Sequence, residues 1–497
     1  MKLKSINKYV VNTESQDVVE PEDDDYIAKC IGPFGTWQAI IWVISISSKF
    51  IVIANVISIV FLTPNTEFKC VKFKGEPLVD VQNSTCYEDC IKYEYYNTLF
   101  KDTLISRFDL ICGDAWLASF AQSILMLGLL VGVPVIGWIS DRFGRALAFR
   151  LTTLIAVIFM IGSTFAPTYW ALVVLRFFVG FGTGGIVPLN VIICVESVGK
   201  QYKDLVGVAT MSADGIAQMI LTVIAYYSPS CYLLSLTCGF LSMFILTTMF
   251  IIPETPRWLI ANQKGEEALE LMTKIAKINN RDVSHIKDTL NETLVRLKCD
   301  QKENIKMNFA DLFRTKTIAV ITMSSIFAWT FIGIAYYGIN QYSTLLGTHV
   351  YAVAATMGLF QLVGSIFSSI VNRKMRRKTA SISALIACGI CMMVLIFIPD
   401  GHWCGIVAVT VAYTAITTIF CVIYVQINEL YPTPLRNMGF GLSSSGIKLG
   451  AMVAPFIANT HPHWIASGIF AIIPIVTIAF CLPLPETKGK SLQDIVK

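Results

Sequence analysis

Twelve long apolar runs dominate this chain of 497 residues. The hydrocarbon core of a bilayer is about 30 Å thick and requires about 20 apolar residues for each helical crossing. Because a helix satisfies its own backbone hydrogen bonds, each run is predicted to be a membrane-spanning helix. The predicted spans are residues 37–62, 115–139, 147–166, 170–193, 205–227, 232–252, 317–342, 350–371, 379–398, 404–427, 439–459 and 464–484. A content of 54% hydrophobic and 15% charged residues also argues against a soluble domain.

Lysine and arginine predict the orientation of these spans. Most of the 39 basic residues fall on one side of the predicted membrane, while the other side carries six, all within residues 63–114. Cytoplasmic loops are enriched in lysine and arginine. We therefore expect a multi-pass protein with both termini in the cytoplasm and an extracellular segment at residues 63–114.

Three landmarks recur at a nearly constant offset along the chain. Pro-Glu-Thr occurs at 253–255 and again at 485–487, each time directly after an apolar run. The matched pairs are Asp141 and Asn372, Glu196 and Glu429, and Glu254 and Glu486. This register predicts two six-helix bundles of the same orientation, with a substrate site between them near mid-membrane and access that alternates between the two sides.

The predicted organisation has five parts: a cytoplasmic N terminus (1–36), an N-terminal bundle (37–252) that includes loop 63–114, a cytoplasmic linker (253–316), a C-terminal bundle (317–484) and a cytoplasmic tail (485–497). Apolar residues at helical spacing predict short amphipathic helices in the linker. These residues are Ala268, Leu271 and Ile275, followed by Ile286, Leu290, Leu294 and Leu297. A mobile charged linker is the alternative.

Motifs spread over residues 31–492 carry a family resemblance. GWISDRFGR, and LRFFVGFGTGG with Arg176, resemble patterns of the major facilitator superfamily. IGPFGTWQ, DLICGDAWLASFAQS, PETPRWLI, AYYGIN, NELYPTPLRNMGFG and LPETKGKSL are together similar to the organic cation, anion and carnitine transporter family. The resemblance implies gradient-driven transport of small organic ions. A sugar-porter-like carrier of a neutral solute is the alternative, although the Gln-Gln-Leu stretch typical of those carriers is replaced by IGIAYYGIN.

Charged residues near the repeated landmarks are expected to form a cytoplasmic gate. Gly137 is expected to let neighbouring helices approach closely, and Asp141 to cap a helix of the other half or to pair with Arg145. Glu196 is expected to pair with Arg257, and Glu429 with Arg436. The whole predicted gate set is Gly137, Asp141, Arg142, Arg145, Arg176, Glu196, Glu254, Arg257, Glu429, Arg436 and Glu486. Solvated loop charges are the alternative.

Lys49, Asp214 and Lys448 lie deep within predicted spans. A charge at the centre of a spanning helix costs roughly 2.5–3.5 kcal/mol on insertion scales, which favours a position in a wet cavity or beside a partner. By the family resemblance, a basic residue at position 448 is typical of members that handle anions or carnitine. Asp214 offers a counter-ion for an amine, so a zwitterion also fits. A buried structural pair is the alternative.

Aromatic residues are expected to complete the pocket. Trp329 and Tyr336 are seven residues apart, so they share a helix face. The resemblance places them at the central cavity together with Phe420, Cys421 and Tyr424, and Asn55 is a further candidate for the substrate site. Aromatic faces attract ammonium groups and pack against rings. Ordinary interhelical or lipid-facing packing is the alternative.

Loop 63–114 contains Cys70, Cys86, Cys90 and Cys112, which predict two disulfides of undefined connectivity. Asn83 begins an Asn-Ser-Thr triplet and is a candidate for glycosylation. Both features favour the plasma membrane. The motifs of common enzymes are missing from the sequence, so we expect no catalytic residue, cofactor, metal site or nucleic-acid partner, and a chain that functions as a monomer.

Overall fold

The computed structural model describes residues 25–64, 66–74, 82–96, 100–300, 309–346, 350–399, 402–431, 435–460 and 462–488, without the side chains of residues 204, 296–300 and 437. This part of the chain is mostly helical. Twelve of its helices are long and apolar enough to cross a membrane. The predicted all-α fold with twelve spanning helices is confirmed.

The first half contains six of these spans. Its helices are α1 (Tyr26–Ile31), α2 (Thr36–Val56), α3 (Ile59–Leu62), α4 (Leu104–Phe108), α5 (Trp116–Phe143), α6 (Arg145–Thr164), α7 (Tyr169–Glu196), α8 (Lys203–Tyr227) and α9 (Cys231–Met249). Together α2 and α3 form one span with an interruption at Ile57 and Ser58. We call helices α2, α3 and α5–α9 the N-bundle.

The linker and the second half follow. The linker helices are α10 (Pro256–Ala261), α11 (Gly265–Ile278) and α12 (Ile286–Asp300). The remaining spans are α13 (Lys316–Leu345), α14 (Val350–Lys374), α15 (Arg377–Leu395), α16 (Trp403–Leu430), α17 (Arg436–Ala458) and α18 (His463–Cys481). We call α13–α18 the C-bundle. The N terminus before residue 25 and the tail after residue 488 lie outside the described residues.

A small sheet between α3 and α4 was not predicted. Strands β1 (Glu67–Phe73) and β2 (Cys90–Tyr96) pair antiparallel, and Cys70 is bonded to Cys90 across them. A second disulfide joins Cys86 to Cys112 at the start of the next span. The two predicted disulfides are therefore present, and the structure supplies their connectivity. Asn83 is exposed on the same segment, as a glycosylation site has to be.

The linker helices α11 and α12 pack against α1, and α11 also contacts α2 of the N-bundle. Ala268 and Ile275 of α11 are buried, as are Ile286 and Leu290 of α12, so each helix turns an apolar face inward. The side chain of Leu297 lies outside the described residues. Asn279, at the end of α11, accepts a hydrogen bond from the backbone N–H of Trp37 at 3.0 Å and fixes the linker to the start of α2.

The two bundles meet in one half of the molecule. We call the end that carries β1, β2 and α4 the loop face and the end that carries α10–α12 the linker face. Ser123 of α5 donates to the carbonyl oxygen of Met452 at 2.6 Å, and Gln218 of α8 donates to that of Ala354 at 3.2 Å. In the described part of the chain, every hydrogen bond between the bundles lies toward the loop face. This conformation is closed at the loop face.

Glycine permits the closest helix crossing in the N-bundle. A methyl group on Gly128 of α5 would collide with the backbone carbonyl oxygen of Phe177, and one on Gly180 of α7 would collide with that of Leu125. Gly137 behaves differently, because a methyl group there would meet nothing within 4 Å. The prediction that Gly137 permits close packing is therefore wrong for this conformation, since the crossing lies two to three turns earlier in the same helix.

Substituting Gly128 with alanine is expected to destabilise the protein by about 1–3 kcal/mol, since the helices would have to separate to admit the methyl group. Gly137→Ala is the matched control in the same helix and should leave stability unchanged or raise it slightly, since alanine favours a helix more than glycine does. The midpoint of thermal unfolding in detergent measures both. Equal midpoints for the two variants would contradict the assigned crossing.

Candidate functional site

Charged residues from both bundles meet in the middle of the helical assembly. Lys49 of α2 forms an ion pair with Asp214 of α8, with Nζ 3.2 Å from Oδ1. Lys448 of α17 interacts electrostatically with both of them. The side chain of Lys49 is 3% exposed, whereas that of Asp214 is 19% exposed and Lys448 is half-buried. The three residues predicted from their cost in a membrane therefore form one cluster, which we call the charge triad.

The ammonium group of Lys448 differs from that of Lys49. In the described ranges it makes no hydrogen bond and no ion pair. With two lysines and one aspartate, the triad carries a formal charge of +1, and Asp214 is already paired with Lys49. A half-buried cation without a partner is costly unless water or a negatively charged group reaches it. The position of Lys448 in a partly accessible space meets that condition.

Aromatic side chains of the C-bundle form a wall near the triad. The ring centroid of Phe420 is 5.1 Å from that of Tyr336 and 5.3 Å from that of Trp329. Tyr336 and Phe420 are half-buried, but Trp329 is fully buried. Trp329 therefore supports Phe420 from behind in this conformation and cannot touch a solute, contrary to the prediction.

Cys421 and Tyr424 continue this wall along α16. Both are half-buried, and Cys421 interacts electrostatically with Asp214. Tyr424 lies edge-on to Phe440 of α17, with 4.8 Å between the ring centroids. These two predicted residues therefore lie on the partly open surface of the C-bundle.

Three further residues belong to the site but were not predicted. Gln361 of α14 donates to the hydroxyl of Tyr336 at 2.6 Å and accepts from that of Tyr413 at 3.3 Å. Tyr413 and Tyr337 both interact electrostatically with Asp214. A polar residue within an apolar run was the available signal, and it was applied to Asn55 but not to Gln361.

Asn55 and Arg176 lie away from the places predicted for them. Asn55 faces the interior of the N-bundle, where its Nδ2 donates to Thr183 at 3.0 Å, so it does not contribute to the triad. Arg176 is buried near Asn55, around a cavity that Ser163 and Leu62 also line, in the half toward the loop face. It is therefore not part of a gate at the linker face.

A network of polar side chains closes the linker face of the N-bundle. Arg145 bonds to Asp141 one turn earlier and reaches Glu196 with Nη2 3.5 Å from Oε1. The hydroxyl of Thr255 donates to Glu196 at 2.6 Å. Glu254 accepts the backbone N–H of Arg145 at 2.8 Å and so caps the N terminus of α6. Glu254 and Thr255 of the repeated tripeptide thus tie three helices together.

The C-bundle repeats this network residue for residue. Arg377 donates to Asn372 at 3.0 Å and reaches Glu429 at 3.3 Å. Thr487 donates to Glu429, and Glu486 accepts the backbone N–H of Arg377 at 2.9 Å, capping α15. The duplicated landmarks therefore mark two equivalent networks, each contained within one bundle.

The predicted partners of Glu196 and Glu429 are wrong. Arg257 forms an ion pair with Asp25 at 3.1 Å and meets Glu196 only through the backbone carbonyl oxygen of the latter. Arg436 has a buried Nε without a hydrogen-bond partner in the described residues. The arginines that do pair with these glutamates are Arg145 and Arg377, the first residues of α6 and α15. From there they reach the ends of α7 and α16, where the two glutamates lie.

Arg142 also lies outside the N-bundle network. It is exposed, and its guanidinium lies over the rings of Trp138 and Phe143, 5.5 and 5.6 Å from their centroids. Arg142 is therefore a surface residue in this conformation, one position removed from Asp141 but pointing elsewhere.

The pKa values of the two capping glutamates are shifted in opposite directions. Burial raises the pKa of Glu254 above its ordinary value, although the backbone N–H groups that it accepts act in the opposite direction. Burial acts in the same sense on Glu486, but the backbone N–H groups of Lys378, Lys488 and Arg377 outweigh it, so the pKa of Glu486 is lowered. The network of the N-bundle therefore takes up a proton more readily than that of the C-bundle.

Comparisons with known proteins agree with this architecture. A family model described as sugar (and other) transporter matches residues 42–497. Over 400 residues the chain is 31% identical to solute carrier family 22 member 3 of Rattus norvegicus, covering 80% of this chain and 71% of that protein. It is 29% identical over 439 residues to organic anion transporter 3 of Sus scrofa, covering 86% and 80%.

Solved structures share the fold. The inward-open xylose transporter of E. coli aligns with a TM-score of 0.68 at 16% identity, covering 93% of this chain and 98% of that one. Its partially occluded inward-open form aligns with a TM-score of 0.64, covering 94% and 100%. The fold is therefore the twelve-helix fold of the major facilitator superfamily. Within that superfamily, the family model and the relatives show that the chain is a transporter of the sugar (and other) transporter family and of solute carrier family 22.

Replacing Arg145 with glutamine is expected to destabilise the protein by about 1–3 kcal/mol, because Asp141 and Glu196 would lose the cation that they share. The midpoint of thermal unfolding measures this change. Arg142→Gln is the control at a neighbouring exposed position and should have little effect. Similar losses in both variants would show that the network does not depend on Arg145.

Proposed function

We propose that this protein moves small organic ions across a membrane by gradient-driven alternating access, and that the solute binds between the bundles at the charge triad. The single observation that carries the proposal is the ammonium group of Lys448, which has no partner in the described ranges while Lys49 and Asp214 pair with each other. A carrier of charged solutes requires such a group, since the solute itself completes the pairing.

The net charge of the triad favours a solute with a negatively charged group. Two unit charges 4 Å apart interact by about 4 kcal/mol at the effective dielectric typical of protein sites. An anionic group beside Lys448 gains this attraction, whereas a simple cation is repelled by Lys448 and has to compete with Lys49 for Asp214. Organic anions and zwitterions therefore fit better than cations. A zwitterion would place its ammonium group near Asp214.

The aromatic wall supports an organic solute of no single shape. Tyr336, Phe420 and Tyr424 present partly open faces, which pack against rings and alkyl groups without strict directional demands. Gln361 and Tyr413 are buried, and the hydrogen bonds of Gln361 with Tyr413 and Tyr336 hold the hydroxyl of Tyr336 in place. A wall that is largely aromatic suits a range of organic ions better than it suits a sugar, which calls for many directed hydrogen bonds.

The relatives are consistent with this choice. One is named as an organic anion transporter, and another belongs to the same family under a number only. A sugar-porter-like carrier of a neutral solute remains the second candidate, supported by the breadth of the family model and the fold of the xylose transporter. The charge triad disfavours it, because a neutral solute leaves Lys448 uncompensated.

We propose that the protein lies in the plasma membrane, with both termini and the linker face in the cytoplasm, because most basic residues fall on that side. The networks around Arg145 and Arg377 hold each bundle rigid at that face while the bundles rock against each other. The protein is proposed to act as a monomer, without a cofactor and without enzymatic activity.

Uptake into proteoliposomes tests the proposal. We expect the wild type to take up an aromatic carboxylate or a zwitterion such as carnitine, and not to transport glucose. Lys448→Gln should reduce uptake of the anionic solute roughly 30-fold or more, since a desolvated charge pair is worth at least ~2 kcal/mol. Lys316→Gln, at the exposed start of α13, is the matched control and should behave as the wild type.

Two further variants sharpen the test. Lys448→Asp should shift preference from anions toward a quaternary ammonium ion, and Asp214→Asn should affect zwitterions more than simple anions. Transport of glucose by the wild type, or unchanged uptake of every charged solute in Lys448→Gln, would refute the proposed site.

A further inference from the structure

A second unpaired cation lies inside the N-bundle, separate from the charge triad. Arg176 of α7 is 5% exposed, and its Nη1 is buried without a hydrogen-bond partner. Within the described part of the chain, its guanidinium makes no hydrogen bond and no ion pair. Arginine stays protonated in proteins, so this side chain holds a full positive charge in the interior of the bundle.

The guanidinium borders a cavity lined by both polar and apolar residues. The cavity has a volume of about 30 Å³, on a scale where one water needs about 10–15 Å³. Its polar lining comes from three spans of the N-bundle and consists of Asn55, Ser58, Ser163 and Ser235. No aspartate or glutamate is among the lining residues of this cavity. The positive charge therefore faces hydroxyl and amide groups and no carboxylate.

A second cavity continues from the first toward the loop face. It has a volume of about 20 Å³ and shares Arg176, Ser163 and Ser235 with the first, and it adds Arg107 and Tyr232. No carboxylate lines this cavity either. Arg107 is held there by donating to the backbone carbonyl oxygens of Thr164 and Ala166 at 2.9 and 2.8 Å.

This arrangement has the chemistry of an anion site. A buried cation without a counter-ion is costly, and water alone offsets its charge only in part. Two arginines along one path attract anions from solution, and low-dielectric walls focus that attraction. The volume admits a monatomic ion but not an organic solute. Serine hydroxyls and an asparagine amide can donate to such an ion once they turn toward it.

We propose that the N-bundle binds one small monovalent inorganic anion, chloride under physiological conditions, at Arg176. The ion reaches the site from the loop face along Arg107. It neutralises the N-bundle interior and so stabilises this bundle independently of the solute bound between the bundles. Lys448 belongs to the other bundle and is not among the residues that line either cavity, so the two sites are distinguishable by experiment.

Direct binding of radiolabelled chloride to the full-length protein in detergent tests the proposal. The measurement uses a scintillation proximity assay with gluconate as the replacing anion, since gluconate is too large for the cavity. Lys448→Gln serves as the background, because it removes the partnerless cation of the charge triad, where an anion is also expected to bind. This variant should bind one chloride saturably, with displacement by bromide. Adding Arg176→Gln should weaken binding roughly tenfold or more.

A second variant keeps the test decisive if Arg176→Gln does not fold. Asn55→Asp places a carboxylate of the same size on the cavity wall, where it supplies the counter-charge internally. In the Lys448→Gln background it should abolish chloride binding, and replacing chloride with gluconate should no longer lower its midpoint of thermal unfolding. Unchanged affinity for chloride after adding Arg176→Gln, chloride binding that persists after adding Asn55→Asp, or binding that is already lost in Lys448→Gln would overturn the assignment.

Discussion

The cost of holding charge within a bilayer governs the centre of this molecule. Lys49 and Asp214 offset each other within the N-bundle, while Lys448 is presented from the C-bundle without a partner in the described ranges. An ion pair confined to one bundle would be structural. A third charge from the other bundle makes the interior depend on what lies between the bundles, and a bound solute can then influence how they are arranged.

Rigidity at the linker face complements this central site. In each bundle an arginine at a helix N terminus joins two acidic or amide side chains, and a Pro-Glu-Thr segment supplies both the helix cap and a hydroxyl donor. Because Arg145 and Arg377 act within their own bundles, neither network locks the bundles together in this conformation. The bundles instead meet toward the loop face, through few direct hydrogen bonds such as that of Ser123 with Met452. Few polar bonds would have to break for that face to open.

Much of the fold could be predicted because membrane helices follow simple physical rules. Apolar runs defined the spans, and the recurring tripeptide revealed the duplication. The expense of burial singled out Lys49, Asp214 and Lys448, which do meet. The three-dimensional surroundings of single residues were harder to predict. Arg176 lies in a bundle interior rather than in a gate. Gln361 was overlooked because an uncharged polar residue in an apolar run gives little signal. The hairpin also escaped notice, because short strands in a polar loop have no clear periodicity.

Access to Cys421 tests the central claim most directly. Cys421 is a native, half-buried thiol beside Asp214, and the other free cysteines can be replaced by alanine. The rate of modification by membrane-impermeant thiol reagents is measured from each face of reconstituted protein. In this conformation the account predicts reaction from the linker face, faster for an anionic than for a cationic reagent, and protection by a transported organic anion. Equal rates for the two reagents without protection by any solute, or no reaction from either face, would contradict it.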